Sequence, residues 1–293
     1  MNITRRNALG RLGAIAGSTT LLGLFKGMSV AEHTLEVNGL KGRINHSVCR
    51  WPYNNIPLED LCRAANEIGI TSIELVGPDE WPVLKEYNLD CAMPWGAGLG
   101  IERGFNNPDL HDELVADYER VIPLAAEAGL KQIICFSGNR NGMDDETGIR
   151  NCEEGVKRLM KTAEEHDVIL SMELLNSKVN HPDYQCDKTP WGVELCKRVG
   201  SEHFKLLYDI YHMQIMEGDV IRTIRDNHEY ISHYHTGGVP GRNEIDETQE
   251  LYYPAIMEAI AETGYEGYVG QEFIPTWDDP LEALSHGVNV CDI

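Results

Sequence analysis

The sequence predicts an α/β chain closed into a single (β/α)8 TIM barrel and preceded by an N-terminal export signal. Three observations carry that prediction. Eight short apolar runs alternate with helical patterns from about residue 40 to the end. No Gly-x-Gly-x-x-Gly follows the first run, so the dinucleotide fingerprint of the doubly wound open sheet is missing. Four consecutive later runs each end in a side chain able to bind a metal, and the sites of closed barrels lie at the C-terminal ends of their strands.

The expected strands, in order, are Arg43–Cys49, Ser72–Val76, Leu89–Pro94, Gln132–Ser137, Val168–Leu175, Phe204–Tyr211, Ile231–Thr236 and Gly267–Phe273. Each is short and rich in apolar and β-branched residues, as befits strands covered on both faces. The expected helices lie between them. Leu58–Ile68 repeats Leu58, Leu61, Cys62, Ala65 and Ile68 at steps of three and four. Pro108–Ala128 stops at Gly129. Asp144–His166, Pro190–Val199, Gly218–Asn227, Tyr252–Thr263 and Pro280–Gly287 complete the alternation, which specifies a parallel sheet. No internal linker interrupts it, so residues 40–293 form one domain.

The first 31 residues follow different rules. Arg5-Arg6 precede an apolar, small-residue run from Leu12 to Phe25, and Ser29-Val30-Ala31 offers a cleavage site. This reads as a twin-arginine signal, with the export machinery as a partner and a periplasmic or extracellular destination; left uncleaved, it would anchor the chain. Removing it takes away four basic residues and no acid. The full chain already carries a net charge of −22, which opposes binding to a phosphate backbone and excludes nucleic acid as a partner. The eight cysteines include no Cys-x-x-Cys pair, and most read as small core filler. Homo-oligomerisation stays open.

The chain is organised around Phe204–His212, an apolar run closing in Asp209-x-x-His212. Ile169–Glu173, Ile231–His235 and Tyr268–Glu272 end similarly, and the steps from Glu173 to Asp209, His235 and Glu272 are 36, 26 and 37 residues, about one strand-helix unit each. Two Glu, one Asp and one His make a mixed oxygen and nitrogen shell suited to one divalent ion, Mn²⁺, Mg²⁺, Co²⁺ or Zn²⁺. Such an ion polarises a carbonyl and its neighbouring hydroxyl, and a nearby Glu can take and return a carbon-bound proton. The chemistry that follows is isomerisation or epimerisation through an enediolate.

The order of Glu173, Asp209-x-x-His212, His233-x-His235 and Glu272 resembles the xylose-isomerase-like barrel superfamily. His235-Thr-Gly-Gly-Val-Pro-Gly-Arg242-Asn-Glu and Tyr265-Glu-Gly-Tyr-Val-Gly-Gln-Glu272-Phe-Ile-Pro275 are similar to the hydroxypyruvate isomerase family within it. The resemblance implies that Glu173, Asp209, His235 and Glu272 hold the metal, that Glu173 and Glu272 form the acid–base pair, and that His212 and Arg242 touch substrate oxygens. It implies a small substrate, an unphosphorylated sugar or hydroxy-keto acid. In one position the chain departs from the bacterial hydroxypyruvate isomerase pattern: His235 stands where those enzymes have Gln, as in sugar epimerases of the superfamily.

Other residues are candidates on position alone. Glu74, in the second strand, points toward a similar barrel mouth and would bind substrate or pair with a basic side chain. His46, Arg50 and Trp51, near the end of the first strand, could line the pocket, with Arg50 as a fork for a carboxylate or a surface arginine on a loop; Trp51, Trp95 and Trp277 suit an apolar wall for a sugar face. His233 reads as an inner-barrel residue behind His235, and Asn176 as a neighbour of the ligands. Lys178–Asp187, with Cys186, is the longest loop at the active face and reads as a lid. Rival functions are a keto-sugar lyase or hydratase on the same metal, a phosphodiesterase of the abasic-site endonuclease branch, and a non-catalytic sugar-binding protein.

Overall fold

The computed structural model describes residues 39–293; the expected signal over residues 1–31 lies outside them. The elements run β1 (Asn45–Cys49), α1 (Leu58–Ile68), β2 (Ser72–Glu74), α2 (Trp81–Glu86), α3 (His111–Glu127), β3 (Gln132–Cys135), α4 (Asp145–His166), β4 (Ile169–Glu173), α5 (Thr189–Val199), β5 (Phe204–Asp209), α6 (Ile210–Met216), α7 (Val220–Asn227), β6 (Ile231–Thr236), α8 (Tyr253–Glu262), β7 (Tyr268–Gln271) and α9 (Pro280–Cys291). Every strand pairing is parallel, in the order β2-β1-β7-β6-β5-β4-β3. The curled sheet is the barrel that the alternation predicts, with seven regular strands among the described residues instead of eight.

The missing strand is the one expected at Leu89–Pro94, and local chemistry explains it. The amide of Cys91 turns to the Asp90 side chain, that of Ala92 turns to Ser72 Oγ, and Pro94 has none to give. The segment still bridges the gap: Ile73 and Leu75 donate to the carbonyls of Asp90 and Met93, and Ile134 donates to that of Pro94. The barrel is therefore closed by an irregular eighth staple between β2 and β3.

The helices sit close to their predicted spans because their caps are in the sequence. Asp144 caps α4 by accepting from Thr147, Asp279 caps α9, and Gly69 and Gly200 end α1 and α5 in the left-handed conformation. The strand expected through Tyr211 instead stops at Asp209, whose carboxylate caps α6 by accepting from the His212 amide at 3.0 Å. One residue thus ends β5, starts a helix and faces the barrel mouth. No described helix is long and apolar enough to cross a membrane. All eight cysteines are free and buried.

His46, expected to line the pocket, is buried low on β1, 3.8 Å from Asp292 at the C-terminus. Arg50, offered as a substrate fork, spends its guanidinium on the carbonyls of Tyr53 and Ile56 in its own loop. Burial holds the His46 imidazole down to about 4, against the pull of Asp292. The unfolded chain therefore takes up this proton near pH 6.5 while the folded chain refuses it, and stability falls as the pH drops from about 6.5 toward 4. The full shift corresponds to about 3 kcal/mol. Urea unfolding of His46→Leu is expected to show a shallower loss than the parent over that window.

Candidate active site

Alternate residues of a strand share a face, and in this barrel that rule stacks two layers. Ser47 and Ser72 meet low in the interior, with Oγ atoms 2.9 Å apart. One step toward the C-terminal ends come Cys49, Glu74, Glu173, Asp209 and His235, with Glu272 just after β7. Glu173, Asp209, His235 and Glu272 each bring a potential ligand atom to within 4.8 Å of the others, and all four are buried. Ligands held about 2.1 Å from one ion lie up to about 4.2 Å apart, so the cluster is close to the size of a metal shell.

The charge balance points the same way. Three carboxylates share this space with a single guanidinium, Arg242, whose Nη2 lies 2.9 Å from Asp209 Oδ2 and 2.6 Å from Glu272 Oε2. Burial pushes the Asp209 carboxyl up to about 7, with Arg242 opposing and the neighbouring Glu272 and Glu173 adding to the rise. Burial raises Glu173 as well, His235 opposing it. Burial would raise Glu272 too, but Arg242 and then His235 outweigh it and hold it well below the usual range. Buried atoms that face the cluster without a hydrogen bond include Glu173 Oε1, His235 Nδ1 and His212 Nε2. The His235 nitrogen is 2.7 Å from Glu272 Oε2 but is not aligned to donate to it. Without a cation, protons do the balancing, on Asp209, Glu173 and His235, the last pushed well above the usual imidazole range; a divalent cation would displace them and take up the unpaired atoms aimed inward, so the residues fit the metal that the sequence implies.

Arg242 is placed by its loop. The turn from Gly237 to Gly241 folds back so that the Arg242 amide donates to Gly238, and Glu244 locks the far side by accepting from the amides of Thr276 and Trp277. Arg242 itself takes φ +61°, a left-handed conformation that costs a residue with a Cβ about 1–3 kcal/mol. The guanidinium is held over the rings of Trp51 and Tyr211, 5.3 and 5.4 Å from their centres. The Trp51 indole also donates to Glu272 Oε1 at 2.7 Å.

His212 is a neutral imidazole whose tautomer the geometry fixes. Its Nδ1 accepts from the Asn176 backbone amide at 3.0 Å, which leaves the proton on Nε2. That Nε2–H has no partner and lies 3.6 Å from Asp209 Oδ2. Burial, then Arg242, keeps the ring uncharged.

Glu74 is fully buried beneath the cluster and does not line the cavity above it. Its Oε2 lies 2.7 Å from His233 Nε2 and 3.4 Å from His235 Nε2. The basic partner expected for Glu74 is thus a pair of imidazoles. Burial would push Glu74 up, but His233 foremost and His235 behind it hold it down to about 2. A carboxylate on one ring nitrogen turns the other toward a metal, a common way to orient a histidine ligand. Room for this contact comes from Gly270 in β7, where a Cβ would overlap Glu74 Oε1 and crowd His235.

Above the cluster opens a cavity of about 440 Å³, lined by Glu173, Glu272, Arg242, Trp51 and a set of apolar side chains. Trp95 joins that lining as expected, whereas Trp277 packs on His286 instead. His181 lines it too, 5.3 Å from the His212 ring, and sequence reasoning assigned it nothing. The available signal was its place in the loop directly after the strand that ends in Glu173. The stretch expected to be a lid is anchored: Tyr184 donates to the Glu173 carbonyl, Gln185 to that of Gly138, and Cys186 to Ser137 Oγ.

With this geometry the comparisons with known proteins are decisive for the family. Residues 62–291 match the xylose isomerase-like TIM barrel family. The chain belongs to it. It is 35% identical over 237 residues to 2-oxo-tetronate isomerase of Cupriavidus necator, covering 76% of this chain and 89% of the relative. It is 30% identical over 203 residues to hydroxypyruvate isomerase of Escherichia coli, covering 64% and 75% of the two chains. Among solved structures, the AP endonuclease, family 2, of Brucella melitensis superposes with a TM-score of 0.76 at 25% identity, over 84% of this chain and 99% of that one.

Removing the carboxylate beneath His235 leaves that imidazole, which is pushed toward its charged form, without its counter-charge, and the buried His233 without its partner oxygen; breaking a buried ion pair costs about 3–5 kcal/mol. Glu74→Ala is expected to lose that much in denaturant unfolding, with Gly270→Ala losing stability by displacing the same carboxylate. A loss under about 1 kcal/mol in both would show that the triad carries no structural weight.

Proposed function

We propose that the protein is a divalent-metal-dependent isomerase or epimerase of a small hydroxy-keto compound or unphosphorylated sugar. The observation that carries this reading is the convergence of Glu173, Asp209, His235 and Glu272, with more carboxylate than Arg242 can neutralise, under an open cavity. The relatives with isomerase names support it. Glu173, Asp209, His235 and Glu272 would hold the cation, which when bound supplies positive charge for the oxygens of the substrate carbonyl and its neighbouring hydroxyl.

The proton chemistry would belong to the two glutamates, Glu173 and Glu272, one taking the proton from the carbon beside the carbonyl and the other returning one. Loss and return of one proton on the same substrate balances without an oxidant or a leaving group. His212 Nε2–H and Arg242 would bind substrate oxygens and set the face presented to each carboxylate. The phosphodiesterase reading has against it a net charge of −22.

Solvent-deuterium exchange into the substrate, followed by NMR with Mn²⁺ added, tests the roles. Glu173→Gln and Glu272→Gln are each expected to slow exchange about 10²–10⁴-fold, while Asp209→Asn is expected to weaken Mn²⁺ binding in calorimetry. Undiminished exchange in both glutamine variants would remove the acid–base assignment.

We further propose that the chain is exported through its twin-arginine signal. Arg5→Lys with Arg6→Lys is expected to hold the protein in the cytoplasm on cell fractionation, where the parent chain leaves it.

A further inference from the structure

The cavity has two chemically different halves. Glu173, Glu272, Arg242 and His181 make up its ionic lining, with Trp51 bonded to Glu272, and Leu75, Trp95, Ile101, Ile134, Phe136 and Leu175 make up its apolar lining. These six come from successive barrel units: the end of β2, the irregular staple and its loop, β3 and the residues after it, and the end of β4. The wall is constructed rather than left over. Leu75 is held at φ +60°, a left-handed conformation that an L side chain seldom adopts, with its amide donated to the Met93 carbonyl at 2.8 Å. Trp95 and Phe136 pack with ring centres 5.4 Å apart. The loop from Trp95 to Ile101 is threaded by Gly96, Gly98 and Gly100, all at positive φ, and the Gly98 amide turns away to Asp117.

Apart from the Trp95 indole, that half offers a ligand neither donor nor acceptor among the side chains that line it. A free sugar carries a hydroxyl on nearly every carbon, and each one pressed on such a wall would lose its hydrogen bonds to water without replacement. A three- or four-carbon keto acid avoids this problem only by leaving the apolar half empty. The volume of about 440 Å³ corresponds to more than a dozen waters at ~30 Å³ each, well beyond so small a molecule.

Building on the isomerase reading above, we infer that the substrate is a hydroxy-keto compound carrying an apolar substituent, an aryl or alkyl group such as the aglycone of a keto-glycoside. Its carbonyl end lies at the carboxylates, and the substituent lies on the wall of Leu75, Trp95, Ile101 and Phe136.

A matched pair of 3-keto-glucosides, one methyl and one phenyl, tests this on the Mn²⁺-loaded full chain. Calorimetry gives the affinities and NMR in heavy water gives proton exchange. Phenyl burial is expected to tighten binding about tenfold or more over methyl. Ile101→Asn, at a half-buried loop position outside the strands and helices, is expected to reduce that ratio several-fold with unchanged thermal unfolding. Equal affinity for the pair, or binding of neither, overturns the inference. Exchange with equal affinities overturns it while leaving the isomerase reading in place. A phenyl preference without exchange in either compound upholds the apolar half and removes the isomerase reading instead.

Discussion

The mouth of the barrel is held in a state of electrostatic demand. Glu173, Asp209 and Glu272 are buried within ionic reach of shared partners, and one guanidinium reaches into them. Carboxylates this close cannot all ionise without further positive charge. The molecule answers unevenly: Glu272, nearest Arg242, stays charged, while Asp209 and Glu173 drift toward neutrality. A divalent cation would settle the imbalance, and so the same arrangement that is poorly balanced alone is well suited to capture one. The left-handed backbone of Arg242 belongs to the same arrangement, in which its guanidinium reaches two of the acids.

The layer beneath makes the arrangement directional. An imidazole has two nitrogens, and a ligand histidine must be turned with the correct one toward the ion. Glu74, clamped by His233, sits against the Nε2 side of His235 and leaves Nδ1 for the cluster. Gly270 is the silent partner, since any larger residue there would occupy the space of the Glu74 carboxylate. The pattern His233-x-His235 therefore does two jobs on one strand face. The upper ring faces the site, and the lower ring fixes the carboxylate that orients the upper one.

How much of this was legible in the sequence follows from how local each cause is. Strand ends that carry Glu173, Asp209, His235 and Glu272 were readable because a barrel maps sequence position directly to height along its axis. Helix boundaries were readable where a cap or a glycine marks them, as at Asp144 and Gly69. The staple at Leu89–Pro94 was misread as a strand because its apolar pattern is right; that pattern does not show the Cys91 amide turning back to Asp90 or the Ala92 amide turning to Ser72, 20 residues away. Glu74 was assigned to the cavity because its partner histidines lie about 160 residues on, and no spacing rule links them. The loop from Lys178 was taken for a lid on length alone, while the bonds that anchor it through Tyr184 and Cys186 are contacts with other strands. His181 was passed over because a loop histidine carries no pattern at all.

The two halves of the cavity bear on each other. An apolar wall lowers the local dielectric, and charge interactions strengthen as it falls. On the reading proposed above, a ligand that covers the apolar lining and expels water would therefore strengthen the charge interactions of Glu173 and Glu272. A substrate that left this wall wet would leave both carboxylates partly screened and closer to their ordinary behaviour. One that seats an apolar group there would complete the low-dielectric enclosure as it binds. On that reading, seating a substituent on the apolar lining would be the same physical event that closes the carboxylates off from water, so that binding energy gained at one end would be spent at the other.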